Sequence, residues 1–120
     1  MNKSRSFKDL QMWQKGIDIV KDVYTLTNTF SKDELYGLTS QMRRAAISVP
    51  VNIAEGFKRS HTKEFRQFLH IALGSLAELE TQLIIARELE YINTNDLDAL
   101  AEKIDHEAKM ITSYAKKLSQ

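Results

Sequence analysis

The sequence predicts an all-α protein, an antiparallel up-down-up-down bundle of four helices forming one domain over residues 1–120. Three observations predict it. Apolar residues recur at alternating steps of three and four along most of the chain, which is the period of a helix face and not of a strand. Polar clusters near residues 27–33, 60–62 and 93–96 cut that pattern into four, and connections so short force successive helices to run antiparallel. One Pro and four Gly leave little to interrupt a helix, and 120 residues bury a core without needing the disulfides that zero Cys forbids.

Helix 1 is expected over residues 7–28, with Leu10, Trp13, Ile17, Val20 and Tyr24 as its core row and a second apolar row at Ile19, Val23, Leu26 and Phe30. Ser31 or Asp33 is placed to cap helix 2, which carries Leu35, Leu38, Met42, Ala45, Val49 and Asn52 and continues to about residue 58. Pro50 removes an amide donor and collides with the carbonyl of Ala46, so a kink is expected there, with a break into two helices as the fallback. Gly56 and the polar residues 60–62 end helix 2, and Ser60 or Thr62 is placed to cap helix 3. Gly56 and Gly74 both read as points of close helix approach or termination. Helix 3 holds Phe65, Leu69, Ala72, Leu76, Leu79, Leu83 and Ala86 in heptad register, and helix 4 follows through Leu97, Leu100, Ile104, Ala108, Ile111, Ala115 and Leu118.

Helix 2 carries more apolar surface than one bundle side can cover. At ~100° per residue, Ile47, Val51 and Ala54 fall away from the Leu38, Met42, Ala45 and Val49 stripe. Together with the second row of helix 1, they predict a homo-oligomer in which Ile47, Val51 and Ala54 meet another copy and Arg43, Arg44, Lys58 and Arg59 form the rim.

The formal charge is only +1, but it is unevenly spread. Residues 1–70 hold 12 Lys or Arg against 7 acids, and residues 71–120 hold 5 against 9. Lys3, Arg5 and Lys8 are available to neutralise phosphates, and Arg43, Arg44, Lys58, Arg59, Lys63 and Arg66 are the candidate nucleic-acid contacts, which an oligomer would repeat on every subunit. The same charges also fit a solvated face that pairs with the acidic half of a neighbour. Phe57 and Phe65 interleave with them but read as packed rather than as stacking platforms.

LTSQMRRAAISVPVNIAEGFKRS at 38–60, FKDLQMWQKG at 7–16 and FLHIALGSLAELETQL at 68–83 make the chain resemble a bacterial four-helix-bundle family encoded in intervening sequences of 23S ribosomal RNA genes. The resemblance implies an antiparallel bundle that assembles as a ring-like homopentamer, and it implies no activity. A related group serves the reverse transcriptase of diversity-generating retroelements, where a pentameric barrel of similar subunits contacts nucleic acid and the polymerase. Helix 4 carries little of the signature, so partner specificity located there does not transfer.

Catalytic readings find little support. Asn52 and Glu55 are expected to be polar core residues that fix register, bonded among Gln41, Ser48, Glu78 or Glu80. His61, His70 and His106 lack the Glu three residues earlier that a di-iron bundle uses, since position 103 is Lys. Arg66 and His70 are similar to the Arg and His of small helical ribonucleases, but sit closer together than that motif requires. The longest aliphatic run, Leu83 to Ala86, is far short of a membrane span, and the opening residues have no apolar signal core. The expectation is a non-enzymatic cytoplasmic module with no metal, cofactor, membrane or small-molecule substrate. Its partners are further copies of itself and RNA, DNA or a nucleic-acid-handling protein. The alternatives are a purely protein-binding scaffold and a small helical ribonuclease.

Overall fold

Local capping sets where each helix begins, and several starts fall later than the apolar period suggests. The structure, a computed structural model, describes residues 5–119. Ser6 and Asp9 form a reciprocal capping box around a short 3-10 turn at Phe7–Asp9, which keeps this segment out of α1 (Gln11–Thr27). Ser31 accepts from Asp33 N at 3.2 Å and caps a second 3-10 turn, Lys32–Glu34. The cap of α2 (Leu38–Phe57) comes instead from Glu34, whose Oε1 accepts from Leu38 N at 3.1 Å. Asn93 accepts from Asp96 N at 2.7 Å to start α4 (Thr94–Leu118). Neither Ser60 nor Thr62 caps α3 (Thr62–Glu88); its N-cap is His61, with no side-chain hydrogen bond. Two residues past the end of α3, Glu90 adopts a left-handed φ of 65° while Tyr91 N donates to Ala86 O, a terminating geometry in which glycine is the usual residue.

The four helices pack as an antiparallel bundle measuring 45 × 24 × 20 Å. Every residue of the expected α3 row is buried. By length and composition α3 is also the one described helix apolar enough to cross a membrane, and here its leucine row fills the core. α1 departs from the sequence reading. Its buried row is Met12, Gly16, Ile19, Val23 and Thr27, whereas Trp13, Ile17 and Val20 are half-buried and Tyr24 is exposed. Gly16 and Thr27 occupy two positions of the true core row, so a count of apolar residues favours the wrong one. What looked like spare apolar surface on α1 is therefore its core face.

α2 continues through Pro50 without breaking. Pro50 is buried against Gly16: a Cβ at residue 16 would lie in ordinary contact with Pro50 Cβ and Cδ at 3.5 Å, and tightly against Glu107 Oε2 at 3.2 Å. Glu107 stands three residues after Ile104 and four before Ile111, in the core register that the sequence reading gave to Ala108. It is fully buried, and neither carboxyl oxygen has a hydrogen-bond partner. Burial pushes its pKa up to about 8, opposed only in part by the charge of Lys15.

The two glycines within α2 and α3 differ. A Cβ at Gly56 would meet Phe65 Cδ1 at 2.7 Å, Phe68 Cβ at 2.9 Å and Phe65 O at 3.2 Å. Gly74, expected to do the same, has nothing within 4 Å. Gly56→Ala should therefore lower stability by about 1–3 kcal/mol through overpacking, while Gly74→Ala should raise it by roughly 0.5–1 kcal/mol through helix propensity. Thermal melts that move in the same direction would contradict this packing.

Glu107 gives the second test. Between its unfolded value of 4.5 and its folded value of about 8 the folded chain holds a proton that the unfolded chain has lost, so stability falls as pH rises through that window and levels off above it. Unfolding free energies from denaturant titrations should drop from pH 5 to pH 8 by up to about 1.4 kcal/mol per pH unit, and Glu107→Gln should flatten the profile. An unchanged slope in that variant would show the carboxyl to be solvated.

Candidate nucleic-acid interface

The up-down order brings the N-termini of α1 and α3 to the same end of the bundle as the C-termini of α2 and α4. Contacts between elements fix this end. Phe57 meets Phe65 edge-on at 6.1 Å, Phe65 lies 5.5 Å from Tyr114, Lys58 Nζ sits over the Phe7 ring at 6.0 Å, and Arg66 donates to Leu118 O at 3.0 Å. Residues 5–10, 55–66 and 114–119 gather here, with Arg5, Lys8, Lys58, Arg59, Lys63, Arg66, Lys116 and Lys117 against Asp9, Glu55 and Glu64. The opposite end, residues 31–37 and 87–98, carries Asp33, Glu34, Glu88, Glu90, Asp96 and Asp98 against Lys32 and Arg87.

Charge is thus sorted along the long axis and not by chain half. Lys116 and Lys117 come from the acidic half of the sequence and join the basic end, while Asp33 and Glu34 leave the basic half for the acidic one. Lys3 lies outside the described residues.

The six cations singled out from sequence divide accordingly. Lys58, Arg59, Lys63 and Arg66 share the basic end. Arg43 and Arg44 lie more than three turns away on α2. Arg43 is also committed elsewhere: it donates to Thr27 Oγ1 at 2.9 Å and Asn28 Oδ1 at 3.2 Å and stacks over Tyr24 at 4.5 Å, clamping α2 to the end of α1. Arg44 is exposed beside a shallow groove of about 340 Å³ lined by Gln41, Ala45, Ser48, Ser75 and Glu78. At the basic end, Arg59 pairs with Glu55 at 3.3 Å and covers Phe68 at 4.7 Å, and Arg66 satisfies a carbonyl in the last turn of α4. Lys8, Lys63, Lys116 and Lys117 are exposed and make no ion pair among the described residues. His70 is exposed, and the guanidinium of Arg66 is held by α4.

Asn52 and Glu55 separate. Asn52 is half-buried and donates to Ser48 O at 2.7 Å and Ser48 Oγ at 2.9 Å, while Ser75 Oγ donates to Ser48 Oγ at 2.8 Å, so the network crosses from α2 to α3. Glu55 is exposed and belongs to the surface pair with Arg59, because it lies about 60° further from the core side of α2 than Asn52. The sequence reading missed the buried polar residues Thr27, Thr39, Ser75, Gln82 and Glu107, of which Glu107 and Gln82 carry unpartnered side-chain oxygens. The signal for both was a polar residue in a core register. Ile47 and Val51 are 38% and 48% exposed, and Ala54 is half-buried. Ile71 and Ile85 are exposed on the α3 row that also carries Ser75 and Gln82. Among the described residues no group of three or more His, Asp or Glu is arranged to hold a metal ion.

Comparison with known proteins places this geometry. The family model for the 23S rRNA-intervening sequence protein matches residues 8–113, through all four helices. The chain belongs to that family. A solved structure from Bacteroides thetaiotaomicron, described as a protein of unknown function from the S23 ribosomal protein family, shares the fold with a TM-score of 0.81 at 21% identity, covering 88% of this chain and 98% of its own. No curated protein matches the chain. The match therefore covers Gly16, Pro50, Gly56 and Glu107 but stops short of Lys116 and Lys117.

Proposed function

We propose that this member of the family is a non-enzymatic, self-associating helical module of the cytoplasm whose basic end binds nucleic acid. The observation that carries the reading is the sorting of charge along the bundle, with eight Lys and Arg against three acids at one end. Like charges packed together repel, so such an end gains stability when a polyanion covers it. Lys63 adds a mobile point charge at the tip of the α2–α3 hairpin, beside Lys58 and Arg59. Self-association is supported by Ile47 and Val51, which remain exposed on α2 next to half-buried Ala54. A homopentamer is the assembly that the family resemblance implies, and it would present five basic ends together. The scaffold reading draws on the other end, where Leu35, Tyr36 and Leu89 are exposed among acids and suit a protein partner.

Fluorescence anisotropy with a labelled single-stranded RNA of about 20 nucleotides is expected to show binding at low salt that weakens steeply as salt rises. Lys63→Glu should weaken it roughly threefold to tenfold, while Lys21→Glu, an equal charge change on an exposed mid-bundle lysine, should weaken it far less. Absence of binding at low salt, or equal loss in both variants, would leave the scaffold reading standing. Light scattering should give wild type a mass several times that of one chain, and Val51→Asp should lower it. An unchanged mass would remove Ile47 and Val51 from the contact.

A further inference from the structure

We propose that the basic end grips the phosphate backbone of a double-stranded nucleic acid from outside its grooves and takes no information from the bases. This rests on the nucleic-acid reading above and narrows it to one structural class of partner. Three features of the molecule support it.

Single-strand binders owe much of their affinity to bases stacked on open aromatic faces, at about 1–3 kcal/mol per base. The basic end has aromatic rings, but all of those described are buried or half-buried. Phe65 is buried between Phe57 and Tyr114. Phe68 is covered by the Arg59 guanidinium at 4.7 Å. Phe7 leans on Trp13 at 5.4 Å with Lys58 above it. Among the described residues none of the exposed large apolar side chains lies at this end, and the most exposed aromatic, Tyr36 at 93%, lies at the acidic end, where a polyanion is repelled.

Base readout in a duplex requires an element that enters a groove, and the major groove is about 12 Å wide. The basic end is the blunt end of a bundle 24 × 20 Å across, built from helix termini and turns. It is too broad to enter, and it bridges phosphates instead.

The side chains left free for a ligand suit that role. Lys8, Lys63, Lys116 and Lys117 are exposed ammonium groups on long flexible stems, which meet phosphates as point charges without fixed geometry. Two of the three arginines at this end, Arg59 and Arg66, are engaged by Glu55, Phe68 and Leu118, which leaves Arg5 beside the lysines as the one guanidinium without a side-chain contact among the described residues. A duplex carries one charge per ~1.7 Å and releases more counterions per neutralised phosphate than a single strand, so a surface of this kind favours the duplex.

The test is anisotropy with the full chain and four probes of about 20 nucleotides, namely two unrelated DNA duplexes, one RNA duplex and one single strand, each across a salt series. Both classes of duplex should bind several-fold more tightly than the single strand, and the two DNA sequences should agree within about twofold. The better bound of RNA and DNA identifies the source of the backbone. Lys63→Gln with Lys116→Gln, both at exposed positions without an ion pair among the described residues, should lower the slope of log K against log salt by about two. A tighter single strand, a tenfold sequence preference, or an unchanged slope in the double variant would overturn the proposal and leave nucleic-acid binding intact. No binding by any probe would overturn both.

Discussion

The bundle is organised by a contact that leaves no room for a side chain. At Gly56 the last turn of α2 comes so near Phe65 and Phe68 that one added carbon would fall under 3 Å from each. This approach lets α2 reverse into α3 with only residues 58–61 between them, and two cations stand in that reversal. The buried ring of Phe65 then receives Tyr114 from α4, and Arg66 reaches over to the α4 terminus. Lys58 meets the 3-10 turn that leads into α1. Four helix ends are gathered by a chain of contacts that starts at one missing Cβ.

Concentrating cations where α2 and α4 end is partly a structural convenience, because unpaired carbonyls at helix C-termini attract positive charge. Arg66 serves that purpose directly through Leu118 O. The exposed lysines exceed what the termini use, since Lys63 and Lys8 stand at helix N-termini, where the same dipole disfavours them by a few tenths of a kcal/mol. Elsewhere the protein tolerates a second local cost. Glu107 buries a carboxyl without a partner beside Gly16 and Pro50, at a level where α2 already lacks one helical hydrogen bond. Burial of a neutral acid is far cheaper than burial of a carboxylate, and the raised pKa of Glu107 is the molecule's answer to that difference.

The fold was legible because α3 and α4 obey one period with few interruptions, and every residue named for the α3 core is buried. α1 misled because two of its core positions are Gly16 and Thr27, which carry no hydrophobic signal, so the more apolar flank looked like the inside. Glu107 escaped for the related reason that an acid at a core register reads as surface until its burial against Gly16 of α1 is seen. The candidate site was only half legible. Lys58, Arg59, Lys63 and Arg66 are neighbours in sequence and in space, but Lys116 and Lys117 join them only through antiparallel packing, and nothing local separates Arg43 from the group. Net charge by chain half was a real asymmetry whose spatial axis depended on the topology.

The account depends most on the basic end being the surface a polyanion occupies. Amide chemical-shift mapping of the full chain during titration with a nucleic-acid duplex tests this directly. Shifts confined to residues 5–9, 57–66 and 114–119, with residues 31–37 and 87–98 silent, are the result predicted. Shifts centred on Arg44 and the α2–α3 groove, or on the acidic end, would contradict it.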